Sequence, residues 1–188
     1  MKETTSLGRQ ETLAGADGDA GEEVQQYLTF VLGGETFAIG ILRIKEIIEF
    51  AGFTTVPMMP KCIRGVINLR GSVVPVLDLS ARFGRAPTEA TRRTCIVIVE
   101  VESGAERQDI GVIVDAVNEV LEIPPADIEP APSFGARLRP DLIAGMGKVG
   151  GQFVIVLDTD RVLAPDEIGS LGAPAAEEPV RRTAAAVA

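Results

Sequence analysis

The amino-acid sequence predicts a mainly β protein built from two copies of a five-stranded unit, each curled into a small barrel, with the barrels packed together. Short runs of Val, Ile, Leu and Phe are interrupted every eight to twelve residues by Gly and Pro, the mark of many short strands. No long segment carries the 3.6-residue apolar period of an amphipathic helix. Segments of the second half also repeat segments of the first at fixed spacing, which points to a duplicated unit.

The elements follow in order. Residues 1–23 are polar, acidic and rich in Gly and Ala, with too little apolar surface to offset the entropy of ordering, so a disordered lead-in is predicted. Tyr27–Leu32 forms an apolar run that breaks at Gly33-Gly34 and resumes at Thr36–Gly40, a hairpin with a glycine turn. Arg43–Glu49, Gly65–Arg70 and Val73–Asp78 supply three more strands, separated by a Pro57–Pro60 loop and a turn at Gly71-Ser72. Pro75 lacks a backbone N–H, which places its strand at an edge or gives it a bulge.

The second copy is then legible by alignment. Ile44-Lys-Glu46-Ile-Ile-Glu49 recurs as Val117-Asn-Glu119-Val-Leu-Glu122, and Pro57 as Pro130, at an offset of 73. Ile63-x-Gly65, Gly71 and Val76-Leu-Asp78 recur as Ile143-x-Gly145, Gly151 and Val156-Leu-Asp158, at an offset of 80. Five short strands laid flat would expose both edges, so each unit is expected to curl into a barrel. The folded part is placed at 24–168, with subdomains near 24–92 and 93–168 and an exchange of strands between them left open. Residues 169–188 are Ala- and Pro-rich and are predicted to form a disordered tail.

Composition excludes several functions. A formal charge of −9 repels a phosphate backbone, and the basic pairs Arg92-Arg93 and Arg181-Arg182 are isolated; no nucleic-acid partner is expected. Histidine is absent, which removes the commonest general base, metal ligand and phospho-acceptor. Cys62 and Cys95 lack C-x-x-C spacing, so free thiols are expected. No apolar run approaches the ~20 residues that span a bilayer and no signal-peptide pattern opens the chain, so a cytoplasmic protein without membrane insertion is predicted.

Candidate chemistry is sparse. Gly145-Met-Gly147-Lys-Val-Gly150 fits G-x-G-x-x-G, but it leads into a strand and not a helix, so it reads as a hairpin and no cofactor is expected. Asp78 and Asp158 end equivalent apolar strands. As a pair they could serve acid and base roles or hold a cation at a barrel mouth, which would make the chain a small ligand-binding barrel. Their recurrence favours capping of a turn or short helix, Asp78-Leu-Ser80 being a helix start. No catalytic and no metal-binding residue is assigned.

Arg70 asks most for an explanation. Alternation along Gly65–Arg70 puts Ile67 and Leu69 on one face and Asn68 and Arg70 on the other, so the guanidinium points outward. It is either a solvated or ion-paired turn residue or an anchor for a partner. Its counterpart in the second copy is Gly150, so the turn itself does not require arginine. Glu46 sits among Ile44, Ile47 and Ile48, but Glu119 stands at the equivalent place, which leaves a shared structural role open.

In these residues and their order, the chain resembles the CheW family of bacterial chemotaxis coupling proteins over about 26–166. The motifs that carry the resemblance are Tyr27-Leu-x-Phe30-x-Leu32, Ile44-x-Glu46-Ile-Ile48, Gly65-Val-Ile-Asn-Leu-Arg-Gly71, Val74-Pro-Val-x-Asp78-Leu, Gly111-x-x-Val114-Asp115 and Ile143-x-Gly145. The resemblance implies two SH3-like five-stranded barrels with short helical turns and no catalytic activity. It implies as partners the cytoplasmic signalling tip of a chemoreceptor and the regulatory domain of a CheA-type histidine kinase, in arrays beneath the membrane. By motif, Ile44, Glu46, Gly65, Asn68 and Arg70 would belong to or border the receptor-facing and coupling surface, Gly65 because a side chain there would obstruct close backbone approach. No room remains for a fused receiver domain of ~100 residues. A scaffold for a chemosensory pathway unrelated to motility would share all these features.

Overall fold

The computed structural model describes residues 24–103, 106–132 and 139–164. The disorder expected for 1–23 and 169–188 falls outside the described residues. The first half contributes β1 (Gln25–Leu32), β2 (Glu35–Gly40), β3 (Ile44–Glu49), β4 (Ile63–Leu69) and β5 (Ser72–Asp78), then a one-turn helix α1 (Leu79–Arg82). The second contributes β6 (Cys95–Ser103), β7 (Glu106–Val114), β8 (Ala116–Ile123), the two-residue β9 (Ile128–Glu129), β10 (Ile143–Val149), β11 (Gln152–Leu157) and α2 (Thr159–Val162).

Two sheets result. One runs β8-β1-β2-β11-β10-β9 and the other β3-β6-β7-β5-β4. Neither is drawn from one side of residue 92: the β1-β2 hairpin lies in the sheet of the second copy, and β6-β7 in the sheet of the first. Each copy therefore lends its leading hairpin to the other barrel. The two sheets correspond strand for strand, down to the parallel pairings of β5 with β7 and β11 with β2. The short β9 pairs with β10; its counterpart is a single bridge between Thr54 and Val66 against β4.

The exchange explains why these strands read as continuous apolar runs and not as alternation. Inside one barrel Tyr27, Ala38, Ile123, Val154 and Val156 form a core; inside the other, Val74, Val76, Ile96, Ile98 and Ile113 do. The opposite faces of the same strands meet between the barrels, where Phe30, Leu32, Phe37, Leu77, Val97, Val99, Val112 and Leu157 are packed. A strand such as Ile96-Val-Ile-Val99 thus buries both faces, each of these residues being 1% exposed or less. At ~25 cal/mol per Å² this shared core is what fuses the barrels.

Two expectations from the sequence are corrected. The turn after β4 is Arg70-Gly71, not Gly71-Ser72: Leu69 and Ser72 pair across it, and both central residues have positive φ, 52° and 91°. That is the signature of the two-residue turn whose twist matches the strands. Pro75, expected at an edge or bulge, lies opposite Val66 on β5, between β4 and β7. Its missing N–H costs nothing there. Val66 directs both backbone groups to Thr54, at 2.8 Å each way, and pairing with β7 begins only at Val76.

Candidate protein-docking site

Glu46 and Arg70 meet. The Arg70 guanidinium donates through Nη2 to Glu46 Oε2 at 2.8 Å. β3 is the first strand of its sheet and the β4-β5 turn lies at the last, so the ion pair joins the two ends of the sheet and closes the barrel where the Thr54–Val66 bridge also closes it. The Glu46 side chain is 24% exposed, the Arg70 side chain 79%. One partner is anchored and the other stands in solvent with further donors able to reach a neighbour.

The conformation of Arg70 is costly. The turns Gly33-Gly34 and Gly150-Gly151 have the same two positive φ angles as Arg70-Gly71, and each uses glycine at the first position. For a residue with a Cβ, that left-handed backbone costs roughly 1 kcal/mol or more. Asn68 holds the turn by accepting from the Gly71 N–H at 2.8 Å. The outward reach of Arg70 thus comes from the turn and not from strand alternation.

Gly65 has an intramolecular reason to be glycine. A Cβ there would lie 2.2 Å from the Thr54 carbonyl oxygen and 2.9 Å from Phe53, so the bridging segment packs directly on its backbone. Gly145 repeats the device against Ile128 and Glu129. Ile44 is half-buried against the shared core, at a bulge between Ile44 and Glu46. Lys45, beside the bulge, bridges Asp109 at 2.7 Å and Glu100 at 2.9 Å. These contacts, Asp109 first, hold its ammonium above the usual lysine pKa.

A second feature has no counterpart among the residues singled out by sequence. A cleft of about 370 Å³ opens where the chain crosses from β2 to β3, lined by Val24, Gln26, Ile41, Leu42, Arg43 and Glu122. Leu42 is 96% exposed, in a 3₁₀ turn over Ile41–Arg43. The available signal is the adjacent Ile41-Leu42 between two strands: consecutive apolar residues in a turn cannot both face the core.

The two aspartates act as helix caps. Asp78 is fully buried and caps α1, accepting from Ser80 N and Ala81 N, Thr88 N at 2.8 Å, Thr88 Oγ1 at 3.0 Å and Arg64 Nη1 at 2.8 Å. Both oxygens are saturated. Asp158 caps α2 and pairs with Arg161. Among the described residues no cluster of three or more His, Cys, Asp or Glu side chains could hold a metal ion, and no helix is long and apolar enough to cross a membrane.

Known proteins share this double barrel. The family model of the CheW-like domain matches residues 26–167. The chain belongs to the CheW-like family. It is 33% identical over 150 residues to the chemotaxis protein CheW of Klebsiella aerogenes, covering 79% of this chain and 88% of that protein. It is likewise 33% identical over 158 residues to the chemotaxis protein CheW of Helicobacter pylori, covering 84% and 93%. The crystal structure of the scaffolding protein TtCheW from Thermoanaerobacter tengcongensis superposes with a TM-score of 0.66 at 31% identity, covering 74% of this chain and 87% of that one. The CheW-like fold thus holds for this chain as two exchanged barrels, and the motif residues Glu46, Asn68 and Arg70 of this CheW-like module gather at one barrel closure. Gly65 lies beneath that closure, and Ile44 packs against the shared core beside it.

Proposed function

We propose that this CheW-like chain is a non-catalytic chemotaxis adaptor that couples the cytoplasmic signalling tip of a chemoreceptor to a CheA-type histidine kinase, working in the cytoplasm beneath receptor arrays. The observation that carries the reading is Arg70: a 79% exposed arginine kept in a left-handed turn conformation where the equivalent turns use glycine. The exposed pair with Glu46 is worth about 0–1 kcal/mol, no more than the strain of about 1 kcal/mol, and backbone strain held at an exposed residue is a mark of function. The cleft at Leu42 suits the apolar stripe of a helix, as in a helical receptor tip. The closure at Glu46 and Arg70 suits a barrel of the kinase's regulatory domain.

Coupling then means differential binding. An adaptor held by receptor and kinase together transmits a receptor change only if its contacts favour one kinase state, and couplings of this kind are typically about 1–3 kcal/mol. Asp78 supports the non-catalytic reading, since its lone pairs are occupied by capping and by Arg64. The test is kinase autophosphorylation in the presence of receptor signalling fragments, comparing the natural chain with Arg70→Gly. Loss of receptor-dependent activation with the fold intact supports the reading; full activation removes Arg70 from it.

A further inference from the structure

On a chain of net charge −9, nearly every described cation is engaged. Arg43, Lys45, Arg64, Arg70, Arg85, Arg107, Arg139, Lys148 and Arg161 each pair with a carboxylate, and Arg82 is buried and bonded to the Val162 carbonyl. Lys61, Arg92 and Arg93 are exposed and, among the described residues, have no ion-pair partner; of these, Arg92 and Arg93 are adjacent. They are not loosely held. Thr91 N donates to Thr94 Oγ1 at 2.8 Å, Arg93 N to Thr91 Oγ1 at 3.2 Å, and Thr94 N to the Thr91 carbonyl at 3.2 Å. Thr94 is 2% exposed. A threonine-locked turn thus presents two adjacent guanidinium groups.

Beside them lies a cleft of about 450 Å³ lined by Val31, Thr91, Arg92, Arg93, Asp115 and Ala116. Asp115 is the one carboxylate on the lining, and its Oδ2 is turned to the Gly33 N–H at 2.7 Å. The site therefore offers two adjacent cations on a held backbone turn, beside a cleft with apolar walls at Val31 and Ala116. An acidic peptide with one aliphatic side chain fits this chemistry.

We propose that the occupant is the chain's own acidic segment, Gln10–Glu23, with Leu13 in the cleft and its carboxylates on Arg92 and Arg93. Charge complementarity is direct: Glu11, Asp17, Asp19, Glu22 and Glu23 are its charged residues, and it holds no Lys or Arg. Reach fits as well. Val24 immediately precedes β1 and Val31 lies near its far end, about 23 Å away at ~3.3 Å per residue. Eleven positions separate Leu13 from Val24; any linker of eleven residues spans about 18 Å as a random coil and about 36 Å at full extension. A tether matched to its span gives a millimolar effective concentration, so contacts too weak to hold a free peptide are about half occupied or better. The docked segment would cover Arg92 and Arg93 until a more acidic competitor displaced it.

The test uses the full chain and backbone-amide NMR. Glu11, Asp17, Asp19, Glu22 and Glu23 are exchanged for Gln or Asn, and separately Leu13→Ser is made. The expected result is that amides of Val31, Thr91–Thr94 and Ala116 shift in both variants. The natural chain should reproduce the shift at ~1 M salt, where the screening length falls to about 3 Å, and its spectrum should not depend on protein concentration. Unmoved amides at these positions overturn the proposal. So does a shift that grows with protein concentration, which would assign the cleft to a separate molecule.

Discussion

Glu46 and Arg70 lie 24 residues apart in sequence and 2.8 Å apart in space, one on the first strand of its sheet and the other on the turn beside the last. The pair therefore has two aspects, closure of a barrel and presentation of a strained, exposed cation, and these respond differently to substitution.

Arg70→Gly separates them. The exposed pair is worth about 0–1 kcal/mol, while glycine relieves left-handed strain of about 1 kcal/mol. The unfolding free energy is expected to stay within ~1 kcal/mol of the natural chain, read from the denaturant midpoint at unchanged m, while receptor-dependent kinase activation is lost. A large stability loss would make Arg70 a structural residue.

Gly65→Ala attacks the closure from below. Its Cβ would meet the Thr54 carbonyl oxygen at 2.2 Å, and forced repacking of this kind costs about 1–3 kcal/mol. The expected signs are a lowered denaturant midpoint and faster hydrogen exchange at the Thr54 and Val66 amides, whose mutual bonds would be broken. An unchanged midpoint would contradict the close packing.

Asp78→Ala leaves the Arg64 guanidinium, three backbone N–H groups and the Thr88 hydroxyl without their acceptor. The expected cost is about 3–5 kcal/mol, against less than about 1 kcal/mol for Asp158→Ala, whose partner Arg161 is exposed. Thermal or chemical unfolding of the two variants checks the asymmetry. Equal costs would show that the cap, and not the pairing of buried Asp78 with half-buried Arg64, carries the stability.

Burial pushes the Cys62 thiol above its ordinary pKa. Because the folded-state value is raised, the stabilisation is fully present below the unfolded value of about 8.5. Above that pH the unfolded state loses its proton while the folded state keeps it, so stability falls as pH rises toward the folded value. Cys62→Ala is expected to flatten the loss above pH ~8.5, measured by urea unfolding at a series of alkaline pH values. A slope identical to the natural chain would assign the loss to other groups.

The duplicated architecture is legible in the amino-acid sequence. The offsets of 73 and 80 place β3 on β8, β4 on β10 and β5 on β11, because side-chain burial repeats with the fold. The exchange of the β1-β2 and β6-β7 hairpins is not legible, since periodicity records which faces are buried and not which barrel buries them. Arg70 stands out through its glycine counterpart, yet sequence preference misplaces its turn by one residue: Gly71-Ser72 carries the usual turn residues, and the left-handed Arg70 defies local preference. The family resemblance sets Gly65 at a docking surface, whereas the atom it must avoid belongs to Thr54 of the same chain, a contact between residues 11 apart that no local pattern announces. Leu42 is legible only through its neighbour: Ile41-Leu42 are consecutive apolar residues between two strands, and that pair alone does not say which of the two faces solvent.

Co-sedimentation of this chain with receptor signalling fragments and a CheA-type kinase, with autophosphorylation read in the same samples, tests the adaptor reading most directly. Both assembly of the kinase with receptor and its activation are expected to require this chain, and Arg70→Gly to abolish activation; binding to neither partner would overturn the adaptor role.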